Sequence, residues 1–139
     1  MKGKPCIGTT GERQLVVETQ HAIHFENEQM PAVLATPWLV SFLEHAARDA
    51  VKPWLEPGES TVGTFVEIRH LAATPIGRRV TCLARVVQVE GRSISFQLEA
   101  HDEHEVIGRG FHKRHVISVQ RFTEKVREKA AGGDTKQPG

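Results

Sequence analysis

Glu44 sits where a buried helix has little use for a carboxylate. In the stretch VLATPWLVSFLEHAARDA, residues 33–50, the residues Leu39, Phe42, Leu43, Ala46, Ala47 and Ala50 recur at intervals of three and four, the spacing of one continuous helical face. At about 100° per residue, with Leu43 as the centre of that face, Glu44 falls just beyond the flank formed by Val40, Ala47 and Val51. Two readings are open. It is an ordinary boundary glutamate paired with Arg48 at i+4, or it is a carboxylate held against an apolar wall, where loss of water raises its pKa and equips it as base or nucleophile. His70 poses the same choice. In VGTFVEIRHLAATP the positions Val62, Thr64, Val66, Ile68, His70 and Ala72 share one mostly apolar strand face, which directs the imidazole inward. It is then either a core histidine bonded to a backbone carbonyl or an acid, base or substrate donor. Gly63, of opposite parity, marks a bulge or a place where a ligand approaches the backbone.

The helix opens at Thr36-Pro37. A threonine hydroxyl can accept from an otherwise unpaired N–H as N-cap, and proline fits the first helical position, where no N–H is needed. KPWLEPGES, residues 52–60, ends the helix with two prolines and a glycine. Upstream, residues 13–25 read as an irregular first strand, followed by the loop ENEQMP. Downstream, strand-like runs cover 61–73, 78–90, 93–101 and 105–120, separated by TPIG, GR and DEH. Links this short imply antiparallel neighbours, since a parallel crossover needs about a dozen residues. VEGRSI is a hairpin signal, and residues 121–130 are amphipathic enough for a short final helix. The expectation is an α+β domain over residues 14–130: about five antiparallel strands and one long helix. A flexible segment at 1–13 precedes it and a disordered tail at 131–139 follows. One helix covers one face of such a sheet, and a second copy of the chain is the expected cover for what remains.

The 139 residues suit a single domain. Eighteen Lys and Arg against seventeen Asp and Glu leave a net charge of +1 and no basic block for a phosphate backbone, so no nucleic-acid partner is expected. Nothing approaches the ~20 apolar residues of a membrane span, which points to a cytoplasmic protein without membrane contact. Cys6 and Cys82 suggest reduced thiols rather than a disulfide framework or thiolate site. His21 and His24, like His112 and His115, are three apart; on a strand such pairs point to opposite faces and share no metal. His101 and His104 flank a turn, and His45 lies on the polar side of the helix. No metal site is expected.

Two longer runs carry a resemblance: residues 35–80, with the helix-opening threonine, the glutamate eight residues on, LEPGE and a GT strand ending in H-x-AATP-x-G; and residues 89–117, with VEGR and H-x-R. Together they resemble the hot-dog-fold thioesterases of the fluoroacetyl-CoA thioesterase type, over about residues 33 to 130. The resemblance implies a long helix wrapped by an antiparallel sheet, a homodimer or dimer of dimers, and sites at the subunit interface. It also implies Thr36, Glu44 and His70 as catalytic residues and Gly63 and Arg114 as substrate contacts. On residue type alone Arg114 would serve equally as a surface ion pair. The implied reaction is hydrolysis of an acyl-CoA to a carboxylic acid and free coenzyme A, with no cofactor beyond the substrate's own coenzyme A. The segment FENEQMPAVL is shorter than its counterpart in the fluoroacetyl-specific enzyme, with Phe25 its only aromatic, so a short or medium acyl-CoA is the expected substrate. A non-catalytic acyl-CoA-binding module would have the same fold.

Overall fold

The computed structural model describes residues 1–23 and 29–132. Among these residues, seven strands and two α-helices follow in the order β1 (Thr10–Val16), β2 (Ala22–Ile23), β3 (Val33–Leu34), α1 (Thr36–Val51), β4 (Glu59–His70), β5 (Arg79–Glu90), β6 (Ser93–His101), β7 (Val106–Ser118) and α2 (Val119–Gly132). Five of the strands form one antiparallel sheet in the order β1-β5-β6-β7-β4, and β2 and β3 pair separately. The sheet curls around α1, which packs against β5 and β6 in its middle and against both edge strands, β1 and β4. Leu39, Leu43, Ala46 and Ala47 of the helix are fully buried, as are Cys82, Ala84, Ile94 and Phe96 of the sheet. The apolar helical face is therefore the one the three-and-four spacing predicts. No helix among the described residues is long and apolar enough to cross a membrane.

Three expectations need correction. The domain starts before residue 14: Thr10–Val16 is an edge strand, and the Met1 ammonium lies 2.8 Å from Glu59. Gly11 is what lets that edge close on the helix, because a Cβ there would collide with the Ala46 carbonyl and stand 2.7 Å from the Ala50 backbone nitrogen. The irregular first strand is broken by a single helical turn at Thr19–His21, and its second part pairs with β3 instead of joining the main sheet. His24, Phe25 and the start of the ENEQMP loop lie outside the described residues, as does the tail from residue 133.

The third correction concerns neighbours. The short TPIG link suggested that β4 and β5 pair, yet β4 pairs with β7 at the sheet edge while β5 lies between β1 and β6. The link crosses the end of the sheet instead of reversing a hairpin. Leu34 N–H donates to Thr74 O at 2.8 Å and Gly77 N–H to Val17 O at 2.8 Å, so its backbone groups are satisfied by β3 and by the residue after β1. Thr74, fully buried, donates to Asp102 in the β6–β7 turn at 3.0 Å, which ties the link to the neighbouring turn at the same end of the sheet.

Candidate active site

α1 begins one residue earlier than its threonine suggests. Ala35, in extended conformation, is the cap residue and its carbonyl accepts from Trp38 and Leu39 N–H, which makes Thr36 the first helical residue and Pro37 the second. The Thr36 hydroxyl therefore does not cap its own helix. It lies 2.7 Å from His70 Nδ1, at the far end of β4. The first turn of α1 also carries no acidic side chain, so the positive end of the helix and its spare N–H groups stay open beside this pair.

His70 lies opposite Gly108 on β7, and its Nε2 is buried without a hydrogen-bond partner. Burial pulls the imidazole pKa below its ordinary value, with the Ala72 backbone opposing. With the ring hydrogen on Nε2, Nδ1 accepts from the Thr36 hydroxyl; with it on Nδ1, the ring donates to Thr36 Oγ1 and leaves the hydroxyl hydrogen for another acceptor. A cavity of about 370 Å³ adjoins the pair, lined mainly by apolar groups that include Ile23, Leu34, Leu71 and Ala72. The entry to the helix is braced by His21, which is buried and stands edge-on to Trp38 and Phe42 with ring centroids 4.9 and 5.1 Å away.

Glu44 belongs to a second cluster, about two turns along α1. The ladder between β4 and β7 shifts register between Gly63 and Phe65. That bulge breaks the single inward face expected for β4. Before it, Thr61 and Gly63 oppose the buried Val116 and Arg114; after it, Val66 and His70 oppose His112 and Gly108, while Val62 pairs with the exposed His115 and Thr64 is exposed. Gly63 is where three side chains converge. A Cβ on it would stand 3.4 Å from Glu44 Oε1, 3.4 Å from Arg114 Nη1 and 3.3 Å from His112 Cε1.

Within this cluster Glu44 is half-buried and has no hydrogen bond or ion pair among the described residues; Arg48, its expected i+4 partner, is exposed and not joined to it. Arg114 is not a surface residue. It is 5% exposed, donating from Nε to Thr61 Oγ1 at 2.8 Å and from Nη2 to Thr61 O at 2.9 Å. Burial lowers its pKa, with the Glu44 carboxylate opposing through space. His112 is the residue that sequence reasoning passed over. It is fully buried, with Nδ1 2.7 Å from Phe65 O and Nε2 3.1 Å from Arg114 Nη1, and burial pulls its pKa down. The pairing with His115 does fail as a chelate, since one ring is buried and the other exposed. The usable signal was the alternation His112-x-Arg114, which puts both side chains on one strand face.

Thr36 and His70 therefore come together, Glu44, Gly63 and Arg114 come together, and the two groups stand apart within one chain. An antiparallel sheet curled around a single helix, with polar groups set at the helix start and two turns along, defines a hot-dog protein. A hot-dog-like protein from Thermanaerovibrio acidaminovorans has the same fold, with TM-score 0.80 and 22% identity over 88% of this chain and 91% of that one. The family described as fluoroacetyl-CoA-specific thioesterase (FlK) matches residues 16–120. A fluoroacetyl-CoA thioesterase of Streptantibioticus cattleyicolor is 44% identical over 108 residues, 78% of each chain. A solved structure of the fluoroacetyl-CoA thioesterase FlK aligns with TM-score 0.84 and 35% identity, over 98% of this chain and all of that one. The chain belongs to the fluoroacetyl-CoA-specific thioesterase family and is a thioesterase of the hot-dog fold.

Proposed function

We propose that the protein hydrolyses a short or medium acyl-CoA to a carboxylic acid and free coenzyme A, in a dimer whose sites each join Thr36 and His70 of one subunit to Glu44, Gly63 and Arg114 of the other. The observation that carries this reading is the 2.7 Å contact between Thr36 and His70 at an uncapped helix start, beside a cavity lined mainly by apolar groups and of a size for a modest acyl group. The thioester carbonyl oxygen would take the spare helix N–H groups and, where His70 Nδ1 carries the ring hydrogen and donates to Thr36 Oγ1, the Thr36 hydroxyl hydrogen as well, which stabilise the charge that develops on attack. Glu44, half-buried and without a bonded partner among the described residues, either attacks the carbonyl carbon to form an anhydride that water then opens, or takes a proton from an attacking water. In both routes the C–S bond breaks and coenzyme A leaves as the thiolate; the proton it takes comes from the hydrolytic water, and neutral His70 can relay it by accepting at one ring nitrogen as it gives up its hydrogen at the other. Arg114 contacts the bound substrate from the Gly63 side. A groove of about 270 Å³ beside it, where Arg13 is paired with Asp49, offers Arg48 and Lys52 to the coenzyme A phosphates.

Dimerisation is supported by β4 itself. This twelve-residue strand is a sheet edge whose outer side has no strand partner among the described residues, and it exposes Phe65 and Val66. Long apolar edges of that kind pair with another chain unless blocked. The test is thiol release from acetyl-, fluoroacetyl-, butyryl- and hexanoyl-CoA by wild type, Glu44→Gln, Thr36→Ala and His70→Ala. Each substitution should lower the rate about a hundredfold or more. A wild-type protein that binds these thioesters and frees no thiol is a binding module, and Glu44→Gln at wild-type rate removes the carboxylate from the mechanism.

A further inference from the structure

We propose that His112 is a positioning residue: it aims the Arg114 guanidinium into the space over Gly63. This deepens the reading of Arg114 as a substrate contact and rests on it. Phe65 O can only accept and lies 2.7 Å from Nδ1, so Nδ1 carries the hydrogen. The guanidinium can only donate and lies 3.1 Å from Nε2, so Nε2 presents its lone pair. His112 is thereby held neutral in one tautomer, with both ring nitrogens engaged. Stacking on Phe96, with centroids 5.9 Å apart and planes at 28°, fixes the ring further.

A histidine engaged at both nitrogens has none left to exchange a proton with substrate. It does control Arg114. Thr61 holds Nε and Nη2 along one edge of the guanidinium, and His112 is the only side chain among the described residues that accepts a hydrogen bond from Nη1. Nη1 is also the guanidinium atom that borders the open space beside Glu44. The guanidinium has more N–H groups than these three contacts use, so donors remain for a ligand. Without the acceptor at Nε2, the Nη1 end would be free to swing toward the Glu44 carboxylate, whose charge already acts on Arg114. An Arg–Glu pair formed there would occupy the site and neutralise the carboxylate.

The test compares kcat and KM for acyl-CoA hydrolysis in Arg114→Ala, His112→Asn, His112→Gln and the double variant His112→Asn/Arg114→Ala. Asparagine places its amide near Nδ1 and keeps the donor to Phe65 O, but supplies nothing at Nε2. Glutamine places a carbonyl oxygen near Nε2 and can accept from Nη1. Arg114→Ala should lower kcat/KM about tenfold or more. His112→Asn should lose most of that amount, His112→Gln should stay near wild type, and the double variant should be no worse than Arg114→Ala alone. A merely structural role would not favour glutamine over asparagine. The proposal is overturned if the two His112 variants fall equally, or if the His112→Asn and Arg114→Ala losses multiply. Arg114→Ala at wild-type kcat/KM instead removes Arg114 as a substrate contact, an outcome visible in the single variant. Should His112→Asn not fold, ring ¹⁵N spectra of the wild-type enzyme decide: an Nε2–H tautomer of His112 overturns the proposal, and a hydrogen-bonded lone-pair Nε2 that shifts in Arg114→Ala supports it.

Discussion

Mixing two inactive variants should restore activity if each site draws on both subunits. Thr36 and Glu44 are eight residues apart on α1, or about 12 Å along the helix axis at about 1.5 Å per residue. Their anchors on β4, His70 and Gly63, are seven residues apart, roughly 20 Å along an extended strand. Reacting groups must come within about 3–3.5 Å of the atoms they act on, so one thioester spans at most about 7 Å between a hydroxyl and a carboxylate. Two groups 12 to 20 Å apart by these estimates do not meet on one thioester. Thr36→Ala and Glu44→Gln homodimers should each be inactive. When they are mixed in equal amounts and allowed to exchange subunits, about half of the dimers are mixed, and each has one intact site of its two, so roughly a quarter of wild-type activity returns. The assay is thiol release, with native mass spectrometry to show that heterodimers formed. Thr36→Ala mixed with His70→Ala is the control: both lesions fall in the same half-site, and no activity should return. Heterodimers that form at the expected abundance yet turn over no faster than their parents would refute the shared site.

Two other predictions concern stability. Gly11→Ala forces a methyl group against the Ala46 carbonyl where β1 closes on α1, and should cost about 1–3 kcal/mol of unfolding free energy; an unchanged thermal midpoint would contradict the packing described. His70 and His112 both have pKa values held below 6.5, first by burial, so the native state refuses protons that the unfolded chain accepts. Stability should therefore decline as pH falls below about 6.5, before the carboxylates contribute. Glu59, held at about 2 chiefly by the Met1 ammonium, adds its own loss only below the ordinary carboxylate range. Urea midpoints measured from pH 8 to 5 should fall for wild type and fall less for His112→Gln; a flat wild-type profile would count against this account.

The sequence alone determined the elements. The three-and-four spacing from Leu39 to Ala50 marks the buried helix face because helical repeat and apolar burial are both local properties of the chain. The four long strands lie within a few residues of their expected bounds for the same reason. Spacing singled out Glu44, His70 and Gly63 with their roles open, and motif resemblance supplied the roles expected of them and of Thr36 and Arg114. What only the tertiary structure decided was which backbone and side-chain groups meet. β4 pairs with β7 because its link crosses the sheet end, and link length is the same for that path as for a hairpin. One bulge residue reverses the parity of β4, so Gly63 and His70 share the inner face although they differ in parity along the chain. Thr36 bonds His70 and not its own helix because Ala35, one residue earlier, occupies the cap position and Thr36 lies inside the first turn. His112 becomes visible only when Phe65 and Arg114 arrive from either side of its ring. Such contacts form between residues distant in sequence, and their geometry depends on register and sheet curvature, which no local pattern of residue types encodes.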